Sequence, residues 1–288
     1  MTQVLSPRRR LIGCALRRYR EGLGYRLQDA ARLLECDASK ISRIETGQRG
    51  IRSKELRELL TEYGADPESR DALMALAGPR GRDGWWTEYG AVFGDALSDF
   101  LAAESAATAI SAYAPLQVPA LLQTPDYARA VAAAAHGVPE DAEELAVSAT
   151  LTRQQIALCE RGVTLTAVIG EAALRQRVGG EAVLRAQLRH LANIADGHCP
   201  QVVIRVLPFS ADAHPVGGCG EFSVLQFGQV PALGMVHLAS PTGGTYPEDP
   251  DTADAYLKAF RWLRVLALDP LQSARKFSQL AGALPINH

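Results

Sequence analysis

The chain has 288 residues, which at 100–200 residues per domain makes about two domains. It is 47% hydrophobic and 22% charged, near the globular average, which excludes a chain disordered over most of its length. Its net charge of −2 hides an asymmetry: residues 1–57 carry 14 basic and 6 acidic side chains, whereas residues 83–288 carry 13 and 21.

A basic module joined to an acidic one suggests a polyanionic partner for the first, although a solvated helix surface has the same composition. No apolar run approaches the 18 residues of a membrane-spanning helix. The opening MTQVLSPRRRLIG is basic but has no apolar stretch behind it, so it does not read as a secretory signal. The five cysteines (Cys14, Cys36, Cys159, Cys199, Cys219) are odd in number and scattered. They argue against a disulfide framework and for a reducing cytoplasm.

From the N-terminus, the pattern is helical up to residue 77. Ile12, Leu16, Tyr19 and Leu23 form one apolar stripe, then Leu27, Ala30, Ala31 and Leu34, then Leu56, Leu59, Leu60 and Tyr63. Asp37 caps a short helix with Ile41 and Ile44 inward, Ser53 is placed to cap the next, and Asp66-Pro67-Glu68 opens the fifth. Residues 8–77 therefore predict five short helices. Gly78-Pro79-Arg80-Gly81-Arg82-Asp83-Gly84 reads as a linker or sharp loop. The expected domains are residues 1–78 and 85–288, joined by 79–84.

Beyond the linker, residues 94–113 and 125–136 are alanine-rich and read as helices. Thr164–Ile169, Gln201–Leu207, Glu221–Phe227 and Leu233–Ala239 are short and β-branched and read as strands. Glu181–Ala195 lies between the first two as a helix. Two more helices follow, one marked by Tyr256, Phe260 and Leu263, the other starting at Asp269-Pro270. The overall expectation is α+β: an all-α five-helix domain, then a larger α+β domain with a small sheet of about four strands.

The most informative stretch is Gly24–Gly50. A helix near 26–33, a tight turn at 34–36 and a helix near 37–45 fit within 20 residues. Ile41 and Ile44 point inward, while Ser39, Arg43 and Thr46 recur at i, i+4, i+7 on the opposite side. A helix that displays such groups suits the DNA major groove, and an arginine fork matches the O6/N7 edge of guanine. Lys40 points partly sideways toward a phosphate, and Arg26, Arg49 and Arg52 flank the helix.

Ser39–Gly47, SKISRIETG, resembles the helix-turn-helix of the phage-repressor-like XRE family. The resemblance implies base contacts from Ser39 and Arg43 and backbone contacts near Lys40 and Arg49. The family opens its first motif helix with Thr-Gln. Here those positions hold Arg26 and Leu27, with Gln28 one place later, so Arg26 replaces the phosphate contact by charge. One module contacts only a few base pairs, so a homodimer on an inverted repeat of double-stranded DNA is expected.

The blocks GWWTEYG (84–90), YAPLQVPALLQTPDYARAV (113–131), ALRQRVGGEAVLRAQLRHL (173–191) and VIRVLPFSADAHPVGG (203–218) resemble a domain of unassigned function. It follows the helix-turn-helix in many actinobacterial regulators. That resemblance implies a regulator paired with a small companion protein, some pairs being toxin–antitoxin-like. Candidate ligand or partner residues are Trp85, Trp86, Tyr89, Tyr113, Gln117 and Gln123. Aromatic residues dominate interface energetics, but Trp85, Trp86 and Tyr89 also fit a packing role between domains. Gly217-Gly218-Cys219-Gly220 suits a close ligand approach or simply a turn.

His198, Cys199, His214 and Cys219 match no metal-ligand spacing. No GxSxG, HExxH or paired-carboxylate motif is present, so neither enzyme activity nor a cofactor is expected. The expectation is a cytoplasmic DNA-binding transcription regulator whose second domain dimerises and receives a protein or small-molecule signal. The alternative is an antitoxin-like protein that binds a small companion and regulates its own operon.

Overall fold

The computed structural model describes residues 6–78, 84–89, 95–135, 142–228, 234–240, 243–247 and 252–285. The chain forms two compact units. One comprises Met1–Thr108, Leu225–His237 and Tyr246–Asp254; the other comprises Ala109–Val224, Leu238–Thr245 and Ala255–His288.

The first unit begins with five helices: α1 (Pro7–Gly22), α2 (Leu27–Leu33), α3 (Ala38–Glu45), α4 (Ser53–Glu62) and α5 (Pro67–Leu76). Their apolar stripes form one core, in which Leu16, Ala30, Ile41, Leu56, Leu60 and Leu73 are at most 1% exposed. Asp37 and Asp66 cap as expected, accepting from Ser39 N and Ser69 N. Ser53 does not. Arg52 is the N-cap of α4 and Ser53 its first residue, and Glu55 accepts from Arg52 N instead. An acid in the first helical turn thus satisfies the backbone N–H of the N-cap residue. A short 3₁₀ turn, Trp85–Tyr89, precedes α6 (Asp95–Ala106), which packs on α1 and α5. Of the expected linker, residues 79–83 lie outside the described residues.

The sheet has six strands, not four, in the order β3-β2-β1-β4-β5-β6. These are β1 (Ala109–Ala114), β2 (Thr164–Gly170), β3 (Val202–Leu207), β4 (Phe222–Gln226), β5 (Gly234–Ser240) and β6 (Gly243–Thr245). The additional strands are β1 and β6. Residues 109–113 read as helix because AISAYA is alanine-rich and, being buried, shows no polar alternation. The Gly-Gly-Thr of β6 has no apolar signal. Leu233 of the fourth expected strand and residue 136 of the second expected helix lie outside the described residues.

In the second unit β1, β2 and β3 are parallel, with Ala109 opposite Thr164 and Leu165 opposite Val202. Parallel strands need crossovers. Helices α7 (Pro125–Ala134) and α8 (Glu143–Gln154) lie between β1 and β2, and α9 (Glu181–Asn193) between β2 and β3. Leu165, Ala167, Val168 and Ile169 of β2 are fully buried, as expected for a strand with neighbours on both sides. Helices α10 (Thr252–Leu266) and α11 (Pro270–Ala283) complete the fold, with α11 packed on α9 and β3. The long helices α8 and α9 both end in a π turn, at Gln155–Glu160 and Ile194–His198. Among the described residues, no helix is long and apolar enough to cross a membrane.

Candidate nucleic-acid interface

The α2–turn–α3 unit is built from the inside outward. Ile41 and Ile44 are 1% and 2% exposed, which fixes the inward face of α3. Ser39, Arg43 and Thr46 are therefore left on the outward face, and all three are exposed. Asp37 accepts from Ser39 N at 2.7 Å. Hydrogen bonds from the Ser39 hydroxyl and backbone hold the Asp37 carboxyl below its usual range, so the cap stays ionised. Arg43 Nε donates to Ser39 O at 3.2 Å, and Thr46 Oγ1 donates to Ser42 O at 2.9 Å.

A buried ion pair fastens the end of α3 to α1. Arg20 Nε and Nη2 donate to the two Glu45 carboxylate oxygens at 2.7 and 2.8 Å, and Arg20 Nη1 donates to Tyr25 O at 2.7 Å. The two side chains are 8% and 5% exposed. The hydrogen bond it donates to Glu45 raises the pKa of Arg20 despite its burial. Burial, reinforced by the Glu45 charge, pushes the Tyr63 phenol up to about 12. Gly13 lets α1 approach this closely, since a Cβ there would lie 2.4 Å from Ile44 O and 2.6 Å from Glu45 O.

The loop that follows α3 turns at Gly47, whose φ of +74° is left-handed. Arg49 N donates to Arg43 O at 2.9 Å and so ties the loop to α3. Arg9, Lys40, Arg49, Gly50, Arg52 and Glu55 line a cleft of about 400 Å³ beside this loop. Arg26, Gln28, Arg49 and Arg52 are exposed. Lys40 is different. Its Nζ lies 2.6 Å from Glu55 Oε1, with the side chains 18% and 20% exposed. Burial works to raise the Glu55 pKa, but hydrogen bonds from Lys40 and Arg52 N bring it below its usual value. Sequence spacing did not single out Glu55, Arg9, Arg20 or Glu45, because each acts on a residue far away in sequence or on another helix.

The remaining candidates do not form one site. Trp85, Trp86 and Tyr89 lie in the first unit, with Trp85 edge-on to Trp86 and Tyr89 at 6.0 and 5.7 Å. Trp86 and Tyr89 are buried, and Trp85 Nε1 donates to Ser105 Oγ on α6. They are packing residues of that unit. Tyr113, Gln117 and Gln123 lie in the second unit. Tyr113 is 4% exposed, and Gln123 Nε2 donates to Val118 O at 2.8 Å. Gln154 and Gln187, which the sequence did not single out, also bond backbone groups of the 120–124 segment. These glutamines therefore brace a loop.

Residues 11–73 match a helix-turn-helix domain, and residues 97–279 match the domain of unknown function DUF5753. Among curated proteins and among solved structures, nothing matches the chain. The helix-turn-helix match supports DNA binding by the segment that carries α2 and α3. The second match covers more than half of the 288 residues, and on that ground the chain belongs to the DUF5753 family.

Proposed function

We propose that the chain is a sequence-specific, DNA-binding transcription regulator of the cytoplasm. It would bind an inverted repeat as a homodimer, while its DUF5753 region receives a protein or small-molecule signal. The observation that carries this reading is the outward face of α3. Ser39, Arg43 and Thr46 are exposed on a helix whose opposite face is locked by Ile41, Ile44 and the Arg20–Glu45 pair. Ser39 and Arg43 are assigned to base edges, with Gln28 and Thr46 beside them. Arg26, Arg49 and Arg52 are assigned to phosphates, where positive charge sets register without reading sequence.

The test is fluorescence anisotropy of the full chain with duplex DNA from its own upstream region, against a scrambled duplex, at several salt concentrations. A preference of about a thousandfold or more is expected of a specific regulator, and Arg43→Ala should remove most of it. Equal affinity for both duplexes would overturn the reading and favour a protein whose main task is to bind a small companion.

A further inference from the structure

The cleft beside the loop after α3 contains more charge than the helix-turn-helix motif supplies. Arg9 comes from the first turn of α1, outside the motif, yet it shares the cleft wall with Arg49 and Arg52. Its guanidinium is close to the loop: a Cβ on Gly50 would lie 3.6 Å from Arg9 Nε. The approach is held from below, because a Cβ on Gly47 would meet Arg10 Cγ at 2.7 Å. Arg9, Arg49 and Arg52 are exposed, and their side chains have no ion pair among the described residues. Three guanidinium groups thus converge on one concave surface. Glu55 is the only acid lining that cleft among the described residues, and it is bonded to the fourth cation, Lys40.

We propose that this cleft is a sequence-independent anchor for the nucleic-acid backbone, in which Arg9 of α1 grips a phosphate together with Arg49 and Arg52. Glu55 acts as a built-in competitor that withholds Lys40 from that phosphate. The inference rests on the DNA-binding reading and goes beyond it in two respects. It adds a contact from outside the motif, and it gives an acidic residue the task of limiting non-specific affinity. The physical reason is competition for one charge. A phosphate entering the cleft meets Lys40 already neutralised at 2.6 Å, so Lys40 releases no counterion on binding. Each free guanidinium that engages a phosphate does release one, and this sets the salt dependence of binding.

The test uses the full chain and the same two duplexes, with Arg9→Gln, Glu55→Gln and the double variant Lys40→Met/Glu55→Gln. The scrambled duplex reads the backbone contacts, to which the cleft variants are compared, and the preference between duplexes reads the regulator assignment, so the two can fail separately. Arg9→Gln should flatten the dependence of log affinity on log salt by about one unit, equally for both duplexes. Glu55→Gln keeps an oxygen for Arg52 N and frees Lys40. It should tighten both duplexes by about threefold or more at low salt and steepen the slope by about one unit. The double variant should lose that gain, which shows that Glu55 acts through Lys40. Thermal melting of each variant separates these effects from loss of fold. An unchanged slope in Arg9→Gln overturns the anchor. Unchanged or weaker scrambled-duplex binding in a folded Glu55→Gln overturns the competitor role.

Discussion

The Arg20–Glu45 pair permits a quantitative test of what holds α3 in place. Both groups are almost fully buried and joined by two short parallel hydrogen bonds, with a third from Arg20 to Tyr25 O. Glu45→Ala would leave the guanidinium desolvated with only that carbonyl and a 3.3 Å contact to the half-exposed Glu21 carboxylate as partners. Breaking a buried pair on one side costs about 3–5 kcal/mol, a large part of the roughly 5–15 kcal/mol that holds a domain folded. Replacing both partners with apolar groups of similar size, Arg20→Met with Glu45→Leu, removes the desolvation cost as well. That variant should lie within about 1 kcal/mol of the parent or above it. Urea unfolding followed by circular dichroism measures both. A Glu45→Ala cost below about 1 kcal/mol, the value of a surface pair, would refute the argument that this pair locks α3 to α1.

Gly13→Ala should destabilise the first unit by more than the same change at Gly22, because the new methyl meets two backbone oxygens at Gly13 and nothing within 4 Å at Gly22. Melting temperatures of the two variants provide the comparison. Arg43→Ala should cost about 1–3 kcal/mol on the specific duplex and almost nothing on a scrambled one, as measured by anisotropy. In the second unit, burial raises the Glu221 carboxyl to about 7, partly opposed by Arg153. The folded state then holds this proton more tightly than the unfolded chain. The associated stability is present below the unfolded value near 4.5 and is lost as pH rises through about 7. The loss amounts to about 3 kcal/mol. Glu221→Gln should abolish that pH dependence and raise the melting temperature at alkaline pH. A parent protein equally stable at both ends of the range would refute the assignment.

The first five helices were legible because each carries its own period and cap. Leu56, Leu59 and Leu60 form a stripe that no strand could bury on one face, and Asp37 and Asp66 mark where helices begin. The face of α3 was legible for the same reason: once Ile41 and Ile44 are inward, Ser39, Arg43 and Thr46 are outward. What was not legible has a common cause. The central strand β1 is buried, so Ala109–Ala114 lacks the alternation that identifies a strand, and its alanines favour a helical reading. The ion pair of Lys40 could not be read from the sequence because its partner Glu55 is 15 residues away. For the aromatic residues at 85–89 the sequence left an interface role and a packing role both open, because composition cannot tell an exposed tryptophan from one packed on α6.

The way Arg43 is held separates reading a base from holding a phosphate. Its Nε is bonded to Ser39 O one helical turn back, which restrains the guanidinium and leaves its two terminal nitrogens without a hydrogen bond among the described residues, on an exposed side chain. Two coplanar donors match the O6/N7 edge of guanine, whereas a phosphate accepts any nearby cation. Charge and geometry can therefore be uncoupled at this position. Arg43→Lys keeps the charge but replaces the fork with a single rotating ammonium that cannot bond in the same bidentate way. On the specific duplex it should lose about 1–3 kcal/mol, nearly as much as Arg43→Ala. On a scrambled duplex it should match the parent in affinity and salt slope, because the number of phosphates neutralised is unchanged. If lysine preserved the preference for the specific duplex, Arg43 would be acting as a charge, and base reading would have to come from Ser39, Thr46 or Gln28.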